Sequence, residues 1–282
     1  MQALVGKQYA IGTLSRFKAL EAHVRAFLVT KKLKDIDIRQ VDQRLISNFE
    51  FYLRSSQDCA NNTTVKYLKN LGKIIRICLM NQWIDRDPML GYKLRSENVE
   101  RPFLTADELE RIHQIQFHTP RLGQVRDVFL FCCYTGLSYA DVVTLSLKNI
   151  QPGVDGHQWI FANRTKTGTR SAIPLLPKAK VLLEKYQDDP YCQSRDKLLP
   201  VTSNQKLNEY LKEIAERCHI NKVLTMHIAR HTFATTVTLQ NGIPIETVSK
   251  MLGHTSLRTT QIYAKVLDSK IGKDMESLRG KF

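Results

Sequence analysis

Apolar residues recur at spacings of three and four in three segments of the first hundred residues, the pattern of amphipathic α-helices. These positions are Leu14, Phe17, Leu20, Val24, Phe27 and Leu28; Leu45, Phe49, Tyr52 and Leu53; and Val65, Leu68, Leu71, Ile75 and Leu79. The polar run NNTT before the third segment suits a helix cap. Residues 1–98 are therefore predicted to form a small helical domain.

Basic side chains occupy the other faces of the third predicted helix. They are Lys66, Lys69, Lys73 and Arg76. Such residues either contact the phosphates of DNA or form a solvated surface, and the pattern leaves both interpretations open.

A polar, non-periodic stretch at residues 94–103 predicts a linker. Beyond it, the spacing of Thr105 and Glu108 predicts a capping box that begins a helix. The second domain is therefore predicted over residues 104–282.

Most of this second domain has helical periodicity, with one β interruption. The run VRDVFLFCCYTG predicts a buried helix that ends at Gly136. Residues 157–176 contain two short apolar or β-branched runs around Thr167 and Gly168, which predict a hairpin. The predicted fold class is mainly α with a small β-hairpin or sheet (α+β).

Charge gives the first indication of function. The net charge is +15 at pH 7; residues 1–100 carry 17 basic and 10 acidic side chains, or +7, which leaves +8 for the rest. Two basic halves suit two surfaces that face one polyanion, although a merely basic soluble protein fits the composition too.

Composition also bounds the class of protein. No run of 18 apolar residues predicts a membrane span, and the N-terminus lacks a signal-peptide pattern, so we expect a cytoplasmic protein. The six cysteines form no CxxC pair and are predicted to be buried thiols.

Four residues near the C-terminus form the most specific pattern. His227 and Arg230 are three apart, on one face of a predicted helix; His254 follows in the run LGH, and Tyr263 comes nine residues later. Each is weak evidence alone, because a lone histidine or tyrosine is more often structural. The ordered set is far more specific.

This set resembles the catalytic region of the tyrosine recombinases, or integrase family, and the resemblance covers essentially the whole chain. It implies a core-binding domain followed by a catalytic domain. The opening GKQYAIGTLSRFKALEAHVRAF and the run TGLSYADV look most like integrases of Bacteroidetes-type conjugative transposons.

The resemblance implies a role for each matching residue. Tyr263 is the nucleophile, which forms a 3′-phosphotyrosine with the cut strand. His227, Arg230 and His254 surround the scissile phosphate. Lys166 protonates the leaving 5′ oxygen, and Asp141 lies behind the site. Cationic donors stabilise the phosphate charge, so neither a metal nor a cofactor is expected.

One position departs from the family pattern. Ser138 stands where the first catalytic arginine follows TGL, and a neutral hydroxyl cannot replace a guanidinium. We hypothesise that Arg164 fills the gap, since a strand would place it on the same face as Lys166 with the Cα atoms about 6.6 Å apart. A surface arginine on a hairpin fits the pattern equally well.

Two other kinds of site receive less support. His227 and His231 have zinc spacing on a helix, but the intervening IAR lacks a metalloprotease base and carries a cation. Tyr134 and Tyr139 flank Ser138, and we expect core packing for the first and a satisfied hydroxyl for the second.

Further expectations follow from the resemblance. Double-stranded DNA is the expected partner, held in a C-shaped clamp of two domains by a homotetramer, with accessory DNA-bending proteins possible. The final SKIGKDMESLRGKF is predicted to be a helix that docks on a neighbouring protomer or is solvated. The larger integrases carry an extra N-terminal domain that has no counterpart in this sequence. We therefore expect either a naturally short recombinase or a trimmed one.

Two alternatives to an integrase stay open. One is a resolvase or invertase, and the other is a DNA-binding regulator inactivated by Ser138.

Overall fold

The computed structural model describes residues 1–263 together with Gly272, Met275, Glu276 and Arg279. The chain folds into two compact units, Met1–Val99 and Glu100–Phe282. Among the described residues, no helix is both long and apolar enough to cross a bilayer. The described part of the chain is mostly helical with one small sheet, which confirms the predicted fold class.

The first unit contains three α-helices, as predicted: α1 (Ile11–Thr30), α2 (Gln43–Ser55) and α3 (Asn61–Met80). Short 3₁₀ turns lie at Gln2–Leu4 and Ile38–Gln40. The core between the helices is formed by the predicted apolar positions, among them Leu20, Phe27, Phe49, Leu53, Leu68 and Ile75.

The polar start of α3 does not cap the helix as predicted. The N-cap is Ala60, and no side chain caps it. Asn61 and Asn62 instead hold the chain that follows the bundle, since the Asn61 amide donates to the Arg95 carbonyl and the Asn62 amide donates to the Glu97 carbonyl. These bonds fix the start of the predicted linker against α3.

The second unit contains nine α-helices over residues 100–263. In chain order they are α4 (Ala106–Gln114), α5 (Pro120–Thr135), α6 (Tyr139–Val142), α7 (Pro177–Tyr186), α8 (Pro190–Ser194), α9 (Asn204–Arg217), α10 (Met226–Thr232), α11 (Ile245–Met251) and α12 (Arg258–Gln261). The capping box predicted at the start of α4 is confirmed: the Glu108 N–H donates to Thr105 Oγ1, and the Thr105 N–H donates to Glu108 Oε2.

A π-helical stretch, Phe233–Thr238, continues α10 and leads into a 3₁₀ turn at Leu239–Asn241. Helix α12 ends at Gln261, and Tyr263 lies in the turn that follows it. Most of the predicted C-terminal helix lies outside the described residues.

The sheet has three antiparallel strands in the order β1 (Ile150–Pro152), β2 (Gln158–Asn163), β3 (Arg170–Pro174). The predicted hairpin is β2–β3, in which Ile160 pairs with Ile173 and both side chains are buried. The three-residue β1 was not predicted. Because β2 ends at Asn163, Arg164 and Lys166 lie in the connection, and their predicted place on a strand is wrong.

Helix α5 runs through the core of the second unit and carries Phe129 and Phe131, both fully buried. It ends at Gly136, whose φ of 70° is left-handed, as the sequence predicted. Cys132 and Cys133 are buried free thiols within α5.

Gly136 and Gly168 allow a matched test of this helix end. Both have a left-handed φ, but a Cβ at Gly136 lies 2.3 Å from Phe233 Cδ1, whereas one at Gly168 meets nothing within 4 Å. We expect Gly168→Ala to lower the free energy of unfolding by about 1 kcal/mol. Gly136→Ala should lower it by roughly 1–3 kcal/mol more, because packing must also shift. Equal losses in urea unfolding would contradict this reading.

Candidate active site

The Arg230 side chain is buried, with 4% of its surface exposed, and it is fixed by backbone carbonyls. Its Nη1 donates to the Gly136 carbonyl at 2.6 Å, and its Nη2 donates to the Leu252 carbonyl at 2.6 Å. These carbonyls follow α5 and α11, so the ends of two helices hold the guanidinium. Burial first, and then the charge of Arg164, lower the pKa of Arg230 to about 10, which leaves it cationic at neutral pH.

Arg164 brings a second guanidinium to the same place. Its Nη1 donates to the Leu252 carbonyl at 2.7 Å, so Arg164 and Arg230 share one acceptor. Its Nε lies 3.1 Å from Asp141 Oδ2. A Cβ at Gly253 would lie 2.7 Å from Arg164 Cγ, so the glycine of the LGH run leaves room for this side chain.

Asp141 lies behind the two arginines and is 2% exposed. Ser138 Oγ donates to Asp141 Oδ2 at 2.6 Å, and the Thr165 N–H donates to Oδ1 at 2.9 Å. Burial alone would raise the pKa of Asp141, but these bonds and the Arg164 charge outweigh it, and the pKa is lowered. The Ser138 hydroxyl proton is thus directed to a carboxylate.

Tyr263 is 5% exposed and packs between two histidines. Its ring meets His231 edge to face, with centroids 4.7 Å apart, and stacks parallel to His254 at 6.1 Å. Its phenol lies close enough to Arg230 to raise the pKa of that guanidinium in part. The proposed nucleophile is therefore beside the arginine rather than isolated in apolar packing.

Hydrogen bonds fix the orientation of His254. Arg230 Nη2 lies 3.0 Å from His254 Nε2, and His254 Nδ1 lies 2.8 Å from Thr260 Oγ1. Because a guanidinium only donates, Nε2 accepts and Nδ1 carries the proton. Burial first, and then the charges of Arg230 and Arg164, lower the pKa of His254 to about 4.

His227 lies at the exposed end of the group, one turn before His231. The Nε2 atoms of His227 and His231 are 3.0 Å apart, and Arg101 Nη1 lies 2.5 Å from His227 Nε2. Desolvation, followed by the charges of Arg101, Arg230 and Lys166, lowers the pKa of His227. Lys166 itself is exposed in the β2–β3 connection.

A cleft of about 330 Å³ opens beside these groups. Its lining includes Ser138, Tyr139, Asn208, His227 and Arg230. A reacting group that enters the cleft therefore meets both the imidazole and the buried guanidinium.

The other candidate nucleophiles have different surroundings. Tyr139 donates to the Thr202 carbonyl at 3.1 Å. Tyr134 is buried beside His113, with ring centroids 6.3 Å apart, and burial raises its pKa. Among the described residues, no cluster of three or more His, Cys, Asp or Glu side chains could hold a metal ion.

In the first unit, the predicted basic residues lie along one exposed side of α3. Lys66, Lys69, Lys73 and Arg76 are all exposed. Lys69 donates to Ser96 Oγ at 3.2 Å, within the same unit.

The structure brings most of the predicted site residues into one group in the second unit. Sequence reasoning missed Arg101, which precedes Pro102 in the predicted linker and belongs to no periodic pattern. It also missed the contact of His231 with Tyr263, although the spacing of His227 and His231 indicated that both lie on one helix face.

Comparison with known families decides the class of the protein. The sequence pattern of the phage integrase family matches residues 102–270, more than half of the chain. The chain belongs to the phage integrase family. The phage integrase SAM-like domain matches residues 1–94. This family member is a tyrosine recombinase, an enzyme that cuts and rejoins DNA strands.

Several known proteins resemble the recombinase along most of its length. Tyrosine recombinase XerD of Oceanobacillus iheyensis is 25% identical over 240 residues, which cover 79% of this chain and 77% of the relative. XerD of Listeria monocytogenes is 26% identical over 266 residues, covering 88% and 87%.

Solved structures share the fold at lower identity. A lambda integrase dimer bound to a COC′ core site has a TM-score of 0.73 at 17% identity and covers 95% of this chain and 94% of that one. The Tn1549 transposon integrase in complex with a circular intermediate DNA has a TM-score of 0.73 at 14% identity, covering 96% and 95%.

The two histidines beside Tyr263 give the recombinase a predicted pH dependence. The pKa values of His231 and His254 are lowered to about 4, chiefly by burial. The unfolded chain binds these protons near pH 6.5 and the folded chain near pH 4. The free energy of unfolding should therefore be greatest above pH 6.5 and fall as the pH drops towards 4.

NMR titration of the imidazoles measures this directly. Because the charge of Arg164 acts on His254, Arg164→Met should raise the pKa of His254. His231 serves as the internal control, since its pKa is lowered by burial and by His227, Arg101 and Arg230. A titration midpoint near pH 6.5 for His254 in the unchanged protein would contradict its buried position beside the two arginines.

Proposed function

We propose that the recombinase acts at specific sites in duplex DNA through a covalent bond between Tyr263 and the cut strand. The observation that carries the proposal is the position of Tyr263 beside Arg230 and His254, where the positive charge of two arginines is held in a buried site. This arrangement suits a phosphodiester, because guanidinium groups donate in pairs to phosphate oxygens.

The reaction follows from these groups. The phenolic oxygen of Tyr263 attacks phosphorus and passes its proton to a neighbouring neutral imidazole, the bond to the 5′ oxygen breaks, and a 3′-phosphotyrosine forms. Lys166 gives a proton to the leaving 5′ oxygen, while Arg230 and His227 stabilise the charge on the non-bridging oxygens. His254 lies beside the phosphate and orients Arg230 by accepting from its Nη2. The ester keeps the energy of the broken bond, so attack by a 5′ hydroxyl rejoins the strands without ATP.

Arg164 takes the place of the arginine that is missing at position 138. Its support is the shared Leu252 carbonyl, which places its guanidinium next to that of Arg230. Asp141 orients Arg164 and also occupies the Ser138 hydroxyl. Arg164 thus supplies the second guanidinium, and Ser138 helps to hold the carboxylate that positions it.

Both domains contribute to DNA binding in this proposal. Residues 1–98 form the core-binding domain, in which the basic side of α3 contacts phosphates, and residues 104–282 form the catalytic domain, which holds the scissile phosphate. One lambda integrase structure is a tetramer bound to a Holliday junction, with a TM-score of 0.70, and a homotetramer is proposed here as well. We expect the enzyme in the cytoplasm with its DNA.

The biological role is proposed to be integration and excision of a mobile element, of the Bacteroidetes conjugative-transposon type. The shared fold of the Tn1549 transposon integrase supports this role. The XerD relatives are named as tyrosine recombinases without mention of integration, which keeps a resolvase- or invertase-type recombinase as the second candidate. Sequencing the junctions of the encoding element decides between them, since an integrase leaves both an excised circle and a resealed target.

A nicked duplex that carries those junction sequences tests the chemistry. We expect the unchanged protein to form a DNA complex that resists SDS, and Tyr263→Phe to form none. Arg164→Ala should slow formation of the covalent complex by roughly 10²-fold, the usual effect of removing one charge-stabilising donor. Arg170→Ala is the matched control, because this hairpin arginine lies over the Phe161 ring instead.

Two results would count against the proposal. DNA binding without any covalent complex would favour the inactive regulator. A near-normal rate for Arg164→Ala would exclude Arg164 as the replacement guanidinium while leaving Tyr263 in place.

The basic side of α3 predicts salt-dependent binding. Replacing Lys66 or Lys73 by Gln should weaken binding about equally for all DNA sequences and reduce the slope of log affinity against log salt by about 1 each. Fluorescence anisotropy at several salt concentrations measures the slope. An unchanged slope would assign these lysines to the solvated surface.

A further inference from the structure

Arg101 reaches His227 from the segment that enters the second unit. Its Nη1 lies 2.5 Å from His227 Nε2. Since a guanidinium has no acceptor, Nε2 of His227 must accept, and the neutral ring carries its proton on Nδ1. The contact thus occupies the same ring nitrogen that lies 3.0 Å from His231 Nε2.

Backbone contacts fix the segment that carries Arg101. The Leu104 N–H donates to Thr232 Oγ1 at 3.0 Å, and Thr236 Oγ1 donates to the Leu104 carbonyl. Lys222 Nζ donates to the Phe103 carbonyl at 2.9 Å. Thr232 lies on α10 with His227 and Arg230, and Thr236 lies on the π-helical stretch that continues α10. Residues 103 and 104 are therefore positioned relative to the candidate active site.

The surroundings of His227 are strongly positive. Besides desolvation, the charges of Arg101, Arg230 and Lys166 all act on its imidazole. Three cations around one neutral ring repel each other, and an anion placed among them relieves this repulsion. Ser138, on the wall of the adjoining cleft, adds no charge.

We propose that Arg101 is a further catalytic residue, which binds the scissile phosphate together with His227. The proposal rests on the recombinase function proposed above. A non-bridging oxygen that enters between the two side chains accepts from Arg101, which then releases His227 Nε2. The phosphate charge favours protonation of His227 from solvent, so the imidazolium donates to the same phosphate.

Single-turnover cleavage of the nicked duplex, at saturating protein, tests this role. Arg101→Ala should form the covalent complex roughly 10–100-fold more slowly, and Arg101→Lys should recover part of the rate. Arg95→Ala is the matched control, because it removes an exposed arginine from the same predicted linker. We expect its cleavage rate to be unchanged.

A second substrate separates phosphate binding from a structural role. A methylphosphonate at the scissile position removes one oxygen charge, so the loss caused by Arg101→Ala should become smaller with it. An equal loss with both substrates would mean that Arg101 only supports the fold. A normal cleavage rate for Arg101→Ala on the phosphate substrate would also overturn the proposal. A faster rate would overturn it as well and would identify the Arg101 contact as inhibitory.

The free protein provides a readout that does not depend on cleavage. Nitrogen NMR should show His227 with an unprotonated, hydrogen-bonded Nε2 that changes in Arg101→Ala, and its pKa should rise because one positive charge is removed. Unaltered His227 signals would reject the contact itself. If instead the unchanged protein forms no covalent complex while these signals respond, the failure lies in the recombinase proposal.

Discussion

The backbone oxygen of Leu252 accepts hydrogen bonds from two guanidinium groups that come from distant parts of the chain. Arg230 on α10 donates at 2.6 Å and Arg164 from the hairpin donates at 2.7 Å. Two like charges held this close oppose each other, which contributes to the lowered pKa of Arg230. The carboxylate of Asp141 balances part of the charge, and a phosphate that enters would balance the rest.

The backbone has to meet several requirements for this contact to form. Helix α5 must end at Gly136 so that its carbonyl meets Arg230 Nη1. Helix α11 must end at Leu252, and Gly253 must lack a side chain for Arg164 to pass. Tyr263 then follows α12 and packs on His231 and His254. The LGH run is therefore explained by the space and the carbonyl that it supplies, as well as by its histidine.

Sequence periodicity predicted the elements whose signals are local. The three helices of the first unit, the capping box at Thr105 and the end of α5 at Gly136 are confirmed, because apolar spacing and cap chemistry depend on nearby residues. Strand β1 was missed since three residues carry too little pattern. Strand β2 stops at Asn163, since Arg164 turns towards Leu252 and Asp141 through contacts that no local pattern contains.

In the candidate site, the sequence pattern likewise identified residues but did not show how they come together. The spacing of His227, Arg230, His254 and Tyr263 indicated which residues to examine, and their roles stay predictions. Their convergence depends on tertiary contacts such as the one between Arg230 and the Gly136 carbonyl. No sequence pattern indicated Arg101 for the same reason. Its position depends on contacts between Leu104 and two threonines, Thr232 and Thr236, that lie more than a hundred residues away.

The central claim is that Tyr263 attacks a phosphodiester held by the arginines joined at Leu252. Mass spectrometry of the peptide that stays linked to a trapped DNA strand tests it most directly. We expect the nucleotide adduct on the peptide that contains Tyr263, with fragment ions that place it on that side chain. An adduct on Tyr134, Tyr139 or any other residue would contradict the claim.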